Sequence, residues 1–175
     1  MGRVSRGVFA DRGAAALEFA LVVPVLAVLV FGMIDYGLFF TDSLGSRDGA
    51  RVAARQGSVE DFTGACPGGY LGSGDPRLMR LACSAVDQTS AIGGDTYVRV
   101  TAKDGWGVNK DFVVCVAVVE NGLTGFTPMP NNSTVHARLQ VRIEHAASPT
   151  NVAETGGAMR MSAVEPAGLW DAWCD

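Results

Sequence analysis

The stretch RGAAALEFALVVPVLAVLVFGMIDY, residues 12–36, decides how this protein is organised. Between Ala14 and Ile34 the only charged side chain is that of Glu18. As a helix this segment would be about 31 Å long at roughly 1.5 Å per residue, close to the ~30 Å thickness of a bilayer's hydrocarbon core. A helix buried in a soluble core is rarely apolar on every face. The stretch therefore predicts a transmembrane helix.

The charges on either side of this segment predict its orientation. The residues before it are basic, with three arginines against one aspartate: Arg3, Arg6, Arg12 and Asp11. Asp35 and Asp42 follow it, and the next basic residue is Arg47. The positive-inside bias then places the N-terminus in the cytoplasm and the chain beyond about residue 42 outside. A secretory signal peptide is the competing interpretation, but the apolar stretch is longer than a usual signal core and no small-x-small cleavage site follows it.

Gly13 and Glu18 have a spacing that predicts proteolytic processing. Cleavage between Gly13 and Ala14 would make Glu18 the fifth residue of the mature chain, as in precursors of type IV pilin-like proteins. A glycine lets an unwound backbone enter a protease, and an acid inside a membrane span is costly and usually functional. Two plainer interpretations stay open: a helix-end carboxylate favoured by the helix dipole, and an unprocessed signal anchor.

At residues 12–24, RGAAALEFALVVP, the sequence resembles the TadE-like family, associated with Flp/Tad (tight adherence) pili. The stretches FGMIDYG, residues 31–37, and ARVAARQG, residues 50–57, fit the same resemblance. It implies a minor pilin or pseudopilin that helps initiate, prime or tip a pilus used in cell adhesion. Its implied partners are prepilin peptidase, other Tad pilins and minor pilins, the inner-membrane pilus assembly platform and membrane lipid.

The resemblance also assigns roles to three residues of the N-terminal helix. It implies that Glu18 pairs with the N-terminal amine of a neighbouring subunit, and it places Phe19 and Pro24 in the assembly segment. Pro24 removes a backbone donor and should kink the helix or loosen one turn. A simple kink, which membrane helices tolerate, explains this proline equally well.

The sequence predicts three parts: a basic leader at residues 1–13, an N-terminal helix at 14–56 whose transmembrane part is 14–40, and an exported domain at 57–175. Alanines favour the helix up to Gln56, and Gly57 can cap it. Gly45 and Gly49 weaken this stretch. The resemblance implies the usual pilin plan, in which a long helix leaves the membrane and packs against a small sheet.

The exported part has the pattern of an α+β domain. Asp75 and Pro76 mark the start of a second helix as N-cap and first-turn residue. Strands are predicted at 97–102, 112–119, 134–144 and 158–164. The second is apolar throughout, as in a strand covered on both faces, and the third alternates apolar and polar residues. We expect the helix to pack on a roughly four-stranded antiparallel sheet.

Four cysteines lie on the exported side, and an even number there favours two disulfides with three connectivities open. We expect Cys66 to pair with Cys83, and Cys115 with Cys174, which would fasten the C-terminal tail onto the sheet. A zinc site is the rival interpretation, but no C-x-x-C pair is present. A buried free thiol is the remaining alternative for Cys115.

The sequence predicts neither nucleic-acid binding nor catalysis. The net charge is −4 with two lysines, which is unlike a basic nucleic-acid surface. No catalytic motif is present, and neither a metal nor a cofactor is expected. If their strand is unbroken, His136 and His145 lie on opposite faces. Two functions remain: a processed minor pilin, or an unprocessed signal-anchored extracytoplasmic binding module. The mass of the mature N-terminus separates them.

Overall fold

A computed structural model describes residues 8–64, 66, 71–73, 75–89, 91, 94–120, 133–145, 157–160, 167–170 and 173–174. In these residues the elements are α1 Val8–Ser58, β1 Leu71–Ser73, α2 Pro76–Thr89, β2 Gly94–Thr101, β3 Asp111–Glu120, β4 Thr134–Arg142 and β5 Gly157–Arg160. Both helices pack against one antiparallel sheet, so the fold is α+β, as predicted.

Helix α1 runs without a break from Val8 to Ser58, and thus begins before the predicted start at Ala14. No proline separates Val8 from the alanines at 14–16. Because adding a residue to an existing helix is favourable, the helix extends back through the predicted leader. Most of the leader, residues 1–7, lies outside the described residues.

The C-terminal end of α1 is a Schellman motif, in which the Glu60 amide donates to Gly57 O at 3.3 Å and the Asp61 amide donates to Gln56 O at 2.9 Å. The left-handed residue is Glu60, with a φ of 56°, so the prediction that Gly57 caps the helix is wrong. Gly57 is buried, and a Cβ there would lie 2.5 Å from the Phe112 ring. The glycine is therefore needed for close packing.

Helix α2 begins as the sequence predicts, with the Asp75 carboxylate accepting the Arg77 amide at 2.8 Å. Its apolar face is buried, at Leu78, Leu81, Ala82, Cys83, Ala85 and Val86. The C-terminal part of α2 crosses α1 at two glycines. A Cβ at Gly45 would lie 2.5 Å from Thr89 O, and one at Gly49 would lie 2.5 Å from Ala85 O. The glycines cost helix propensity, but they let the two backbones come together.

The sheet has the strand order β1-β5-β2-β3-β4, with every neighbouring pair antiparallel. Three long strands, β2 to β4, are the ones predicted. Strand β5 overlaps the fourth prediction at residues 158–160 and begins one residue before it. Residues 161–164 of that prediction are outside the described part. Strand β1 was missed because its sequence, LGS, has two residues with little strand propensity.

Strand β3 is covered on both faces, as its apolar sequence predicts. Phe112, Val114 and Val116 face the core under the two helices. Val113, Cys115 and Ala117 face a second cluster, which Leu169 and Trp170 from the C-terminal tail cover. The sheet is therefore the middle layer of the exported domain.

Candidate functional site

Gly13 and Ala14, the predicted cleavage pair, are exposed residues within α1. A Cβ at Gly13 would meet nothing within 4 Å, and the surrounding backbone is helical. Neither packing nor backbone conformation requires a glycine here. The structure thus leaves the choice of glycine at position 13 to something other than folding. Because the pair is helical, a protease would have to unwind this turn.

Glu18 lies one helical turn after Ala14, a rise of about 6 Å. Its side chain is exposed, and so are its neighbours, with Leu17 at 67% and Phe19 at 71% exposure. Glu18 is therefore the one acid of an apolar helix surface that no other described part of the chain covers. In a bilayer, a charge at this position would need a partner from another molecule or from the chain's own terminus.

Pro24 does not interrupt α1, which stays helical on both sides of it. The proline leaves the Ala20 carbonyl without its usual amide donor. Next to Pro24 is a shallow apolar hollow of about 340 Å³, lined by Pro24, Val25, Val28 and Leu29. This hollow belongs to the exposed half of α1. It is wide enough to receive apolar side chains of a neighbouring helix.

Within Gly13–Ser58, helix α1 is long and apolar enough to cross a membrane, judged by length and composition. In its most apolar 18-residue stretch, no residue is buried against the domain. The second half of α1 is different. Ser46, Ala50, Ala53 and Ala54 are all buried in the domain. The two halves of one helix thus face different environments.

A buried pair of acids lies where α1 joins the domain. Asp42 on α1 is 1% exposed and Glu120 at the end of β3 is 5% exposed. Burial, a hydrogen bond with Asp42 and the charge of Asp42 raise the pKa of Glu120 to about 8. Glu120 therefore keeps its proton at neutral pH and can share it with the Asp42 carboxylate.

Asp35 and Asp42 are each only 1% exposed, a burial that their positions as charges after the apolar segment did not predict. Their spacing could have predicted that they share an environment, because residues seven apart lie on the same helix face. That face continues through the buried Ser46, Gly49 and Ala53. Glu120 gave no local signal, since its partner is distant in sequence.

The cysteines form the two disulfides expected from the sequence, Cys66–Cys83 and Cys115–Cys174, with Cα atoms 5.2 and 5.9 Å apart. The first joins the segment after α1 to α2. The second holds the C-terminal tail on the outer face of the sheet. There Trp170 is 6% exposed, and the Trp173 ring stacks on His136 with centroids 4.3 Å apart.

The histidines do not form a site with each other. His136 lies in β4, and burial lowers its pKa. Strand β4 ends at Arg142, so His145 lies beyond it, where its amide donates to Ser58 O at 3.1 Å. The prediction of opposite strand faces therefore does not apply. Within the described part of the chain, no three acidic, histidine or cysteine side chains are grouped to hold a metal ion.

A protein-family model described as TadE-like protein matches residues 13–55. The chain carries a TadE-like segment. This segment coincides with α1 from the predicted cleavage site to the last turns packed in the domain, and covers about a quarter of the chain. The match indicates a protein associated with Tad pili. No curated protein and no solved structure matches the chain.

Proposed function

We propose that this protein is a minor pilin that helps initiate, prime or tip a Flp/Tad-type pilus after prepilin peptidase cleaves between Gly13 and Ala14. In this proposal residues 14–40 span the inner membrane, the N-terminus is cytoplasmic, and the domain at 57–175 is outside. One observation supports it most. The TadE-like segment coincides with a helix whose first half is apolar and exposed and whose second half is built into the domain.

The exposed half needs an apolar environment from outside the chain. Leu21 is 70% exposed and Met33 is 73% exposed, and burying such a side chain contributes about 1.5–3 kcal/mol. Residues 14–40 as a helix would be about 40 Å long, enough to cross the ~30 Å hydrocarbon layer with some tilt. Lipid would satisfy this surface before assembly, and the helices of other pilins would satisfy it in a fibre.

The buried half of α1 fixes the helix firmly to the exported domain. Gly45 and Gly49 let α1 pack closely against α2. The Schellman turn after α1 is fixed to the domain because the Glu60 carboxylate accepts a hydrogen bond from Trp106 Nε1 at 2.9 Å. A subunit pulled out of the membrane by its helix would therefore carry its domain in a fixed orientation. Structural subunits of a fibre need such a connection.

Glu18 would give the assembly its register. Cleavage would create an α-amine on Ala14, one helical turn before Glu18, whose side chain leans back toward the N-terminus. An unpaired charge inside a membrane costs several kcal/mol. Pairing the acid of one subunit with the amine of a neighbour would neutralise both groups, and a slip by one turn would separate them. Processing would then permit assembly.

Variants of Glu18 test this function. We expect Glu18→Ala and Glu18→Gln to insert, fold and be processed, but to lose co-purification with other Tad pilins and to lower piliation. Glu18→Asp keeps the charge and should retain most of the assembly. If both neutral variants assemble with normal partners and normal piliation, Glu18 is only a helix-end acid and the assembly mechanism is wrong.

A further inference from the structure

A basic cleft lies on the exported domain between α1 and the edge strand β4. It has a volume of about 320 Å³ and is lined by Arg47, Ala50, Arg51, His136, Ala137, Arg138 and Leu139. No acidic side chain of the described residues lines it. The whole chain has a net charge of −4, so a cleft with three arginines differs sharply from the average surface. Its position outside the predicted membrane span makes it accessible to soluble segments.

The backbone of β4 forms part of this cleft. Four consecutive residues of β4, 136–139, line it. Successive side chains of a strand point to opposite faces of the sheet, so a cleft that touches all four must run along the strand's edge. Strand β4 pairs with β3 on its other side, and no described strand pairs with its outer edge. Such an edge presents unpaired backbone donors and acceptors.

The spacing of the arginines fits an added strand. Arg47 and Arg51 are one helical turn apart, a rise of about 6 Å. On an extended chain, residues i and i+2 lie on the same face about 6.8 Å apart. Two acids with one residue between them could therefore each meet one arginine. Among the described residues, Arg47 makes no ion pair, and Arg51 has an exposed pair with Asp48 at 3.3 Å.

We propose that this cleft binds an extended acidic segment of another protein, which adds to the edge of β4 and places an acid-x-acid pattern against Arg47 and Arg51. Charged residues on an edge strand discourage pairing with uncharged strands, and the same charges select an acidic one. Backbone pairing would give affinity and the arginines would give specificity. An anionic lipid headgroup could meet the arginines, but it could not pair along the strand. This inference does not depend on cleavage at Gly13.

The experiment uses full-length protein in nanodiscs of neutral phosphatidylcholine. The probe is a fluorescent nine-residue peptide of alternating glutamate and threonine, followed by anisotropy at about 0.15 M salt, where exposed charges more than about 8 Å apart are largely screened. Arg47→Glu should weaken its binding by about tenfold or more, because an attraction becomes a repulsion. Arg55→Glu is the matched control, since Arg55 is exposed on the same helix but lies outside the cleft. It should change binding less than about twofold.

Two further peptides separate strand addition from simple charge attraction. A peptide of alternating lysine and threonine should not bind. The glutamate peptide methylated on alternate backbone nitrogens should bind at least about tenfold more weakly in one of its two methylation patterns, since one set of amides faces β4. If circular dichroism shows that Arg47→Glu does not fold, the milder change Arg51→Gln replaces it and should also weaken binding of the glutamate peptide.

The proposal is wrong if the glutamate peptide does not bind, if Arg47→Glu and Arg55→Glu weaken it equally, or if both methylated peptides bind normally. It is also wrong if the cleft variants lose only affinity for phosphatidylglycerol vesicles, which would make the cleft a lipid contact. None of these outcomes bears on whether the chain is processed.

Discussion

Replacing Gly49 by alanine should destabilise the exported domain, although the same change stabilises most helices. An alanine gains about 1 kcal/mol over glycine in a helix interior. At Gly49, however, the added methyl would lie 2.5 Å from Ala85 O and would also meet the Thr89 hydroxyl. An ordinary contact needs about 3.5 Å, so α2 would have to move away by about 1 Å. Overpacking costs about 1–3 kcal/mol, and a backbone carbonyl that cannot rotate away favours the upper end. The net loss is then about 2 kcal/mol.

The assay is unfolding of full-length protein in detergent micelles, followed by tryptophan fluorescence, because Trp106 and Trp170 are buried. A loss of about 2 kcal/mol lowers the midpoint by roughly 5–10 °C for a domain of this size. Gly37→Ala is the matched control on the same helix, since a Cβ there meets nothing within 4 Å. It should leave the domain's stability within about 0.5 kcal/mol. If Gly49→Ala is as neutral as Gly37→Ala, the close approach of α1 and α2 is wrong.

Two further predictions concern the domain. Because folding raises the pKa of Glu120 from 4.5 to about 8, the native state holds a proton that the unfolded state lacks, and stability should fall as pH rises between those values. Glu120→Gln should remove this pH dependence and should be more stable than wild type at pH 9 by a few kcal/mol at most. Glu144→Gln, a change at an exposed position, should leave the pH dependence as in wild type. If the unfolding free energies of Glu120→Gln and wild type change equally with pH, the buried pair of acids is wrong. Cys174→Ser opens a loop of 59 residues and should cost about 4 kcal/mol, against about 3 for Cys66→Ser, whose loop is 17. Urea unfolding measures both, and a larger loss for Cys66→Ser would contradict the loop-closure argument.

Much of the fold could be predicted because the sequence carries it locally. The Asp75 cap, the apolar face of α2 and the alternation in β4 each follow from a short window of residues, and the structure has all three. The apolar run of β3 predicted cover on both faces, which needs no knowledge of what covers it. Local capping and periodicity therefore predicted most of the elements and the faces they bury.

Features that depend on distant contacts could not be predicted in this way. The close approach of α2 to Gly45 and Gly49 is invisible in a window where both residues only weaken a helix. The turn at Glu60 that follows α1 depends partly on Trp106, which lies far along the chain. The same distinction applies to the candidate sites. Gly13 and Glu18 could be predicted from their spacing in the sequence, whereas the cleft along β4 depends on how α1 packs beside that strand.

The mass of the mature protein decides whether the chain is processed as a pilin precursor. The protein should be extracted from membranes of cells with an active prepilin peptidase, and its intact mass measured. We expect a chain that begins at Ala14. Gly13→Leu should block this cleavage, while Gly37→Leu should not, and a Cβ at either position meets no neighbouring atom within 4 Å. A wild-type chain that still begins at Met1 would contradict processing, and with it the interpretation of this protein as a pilin.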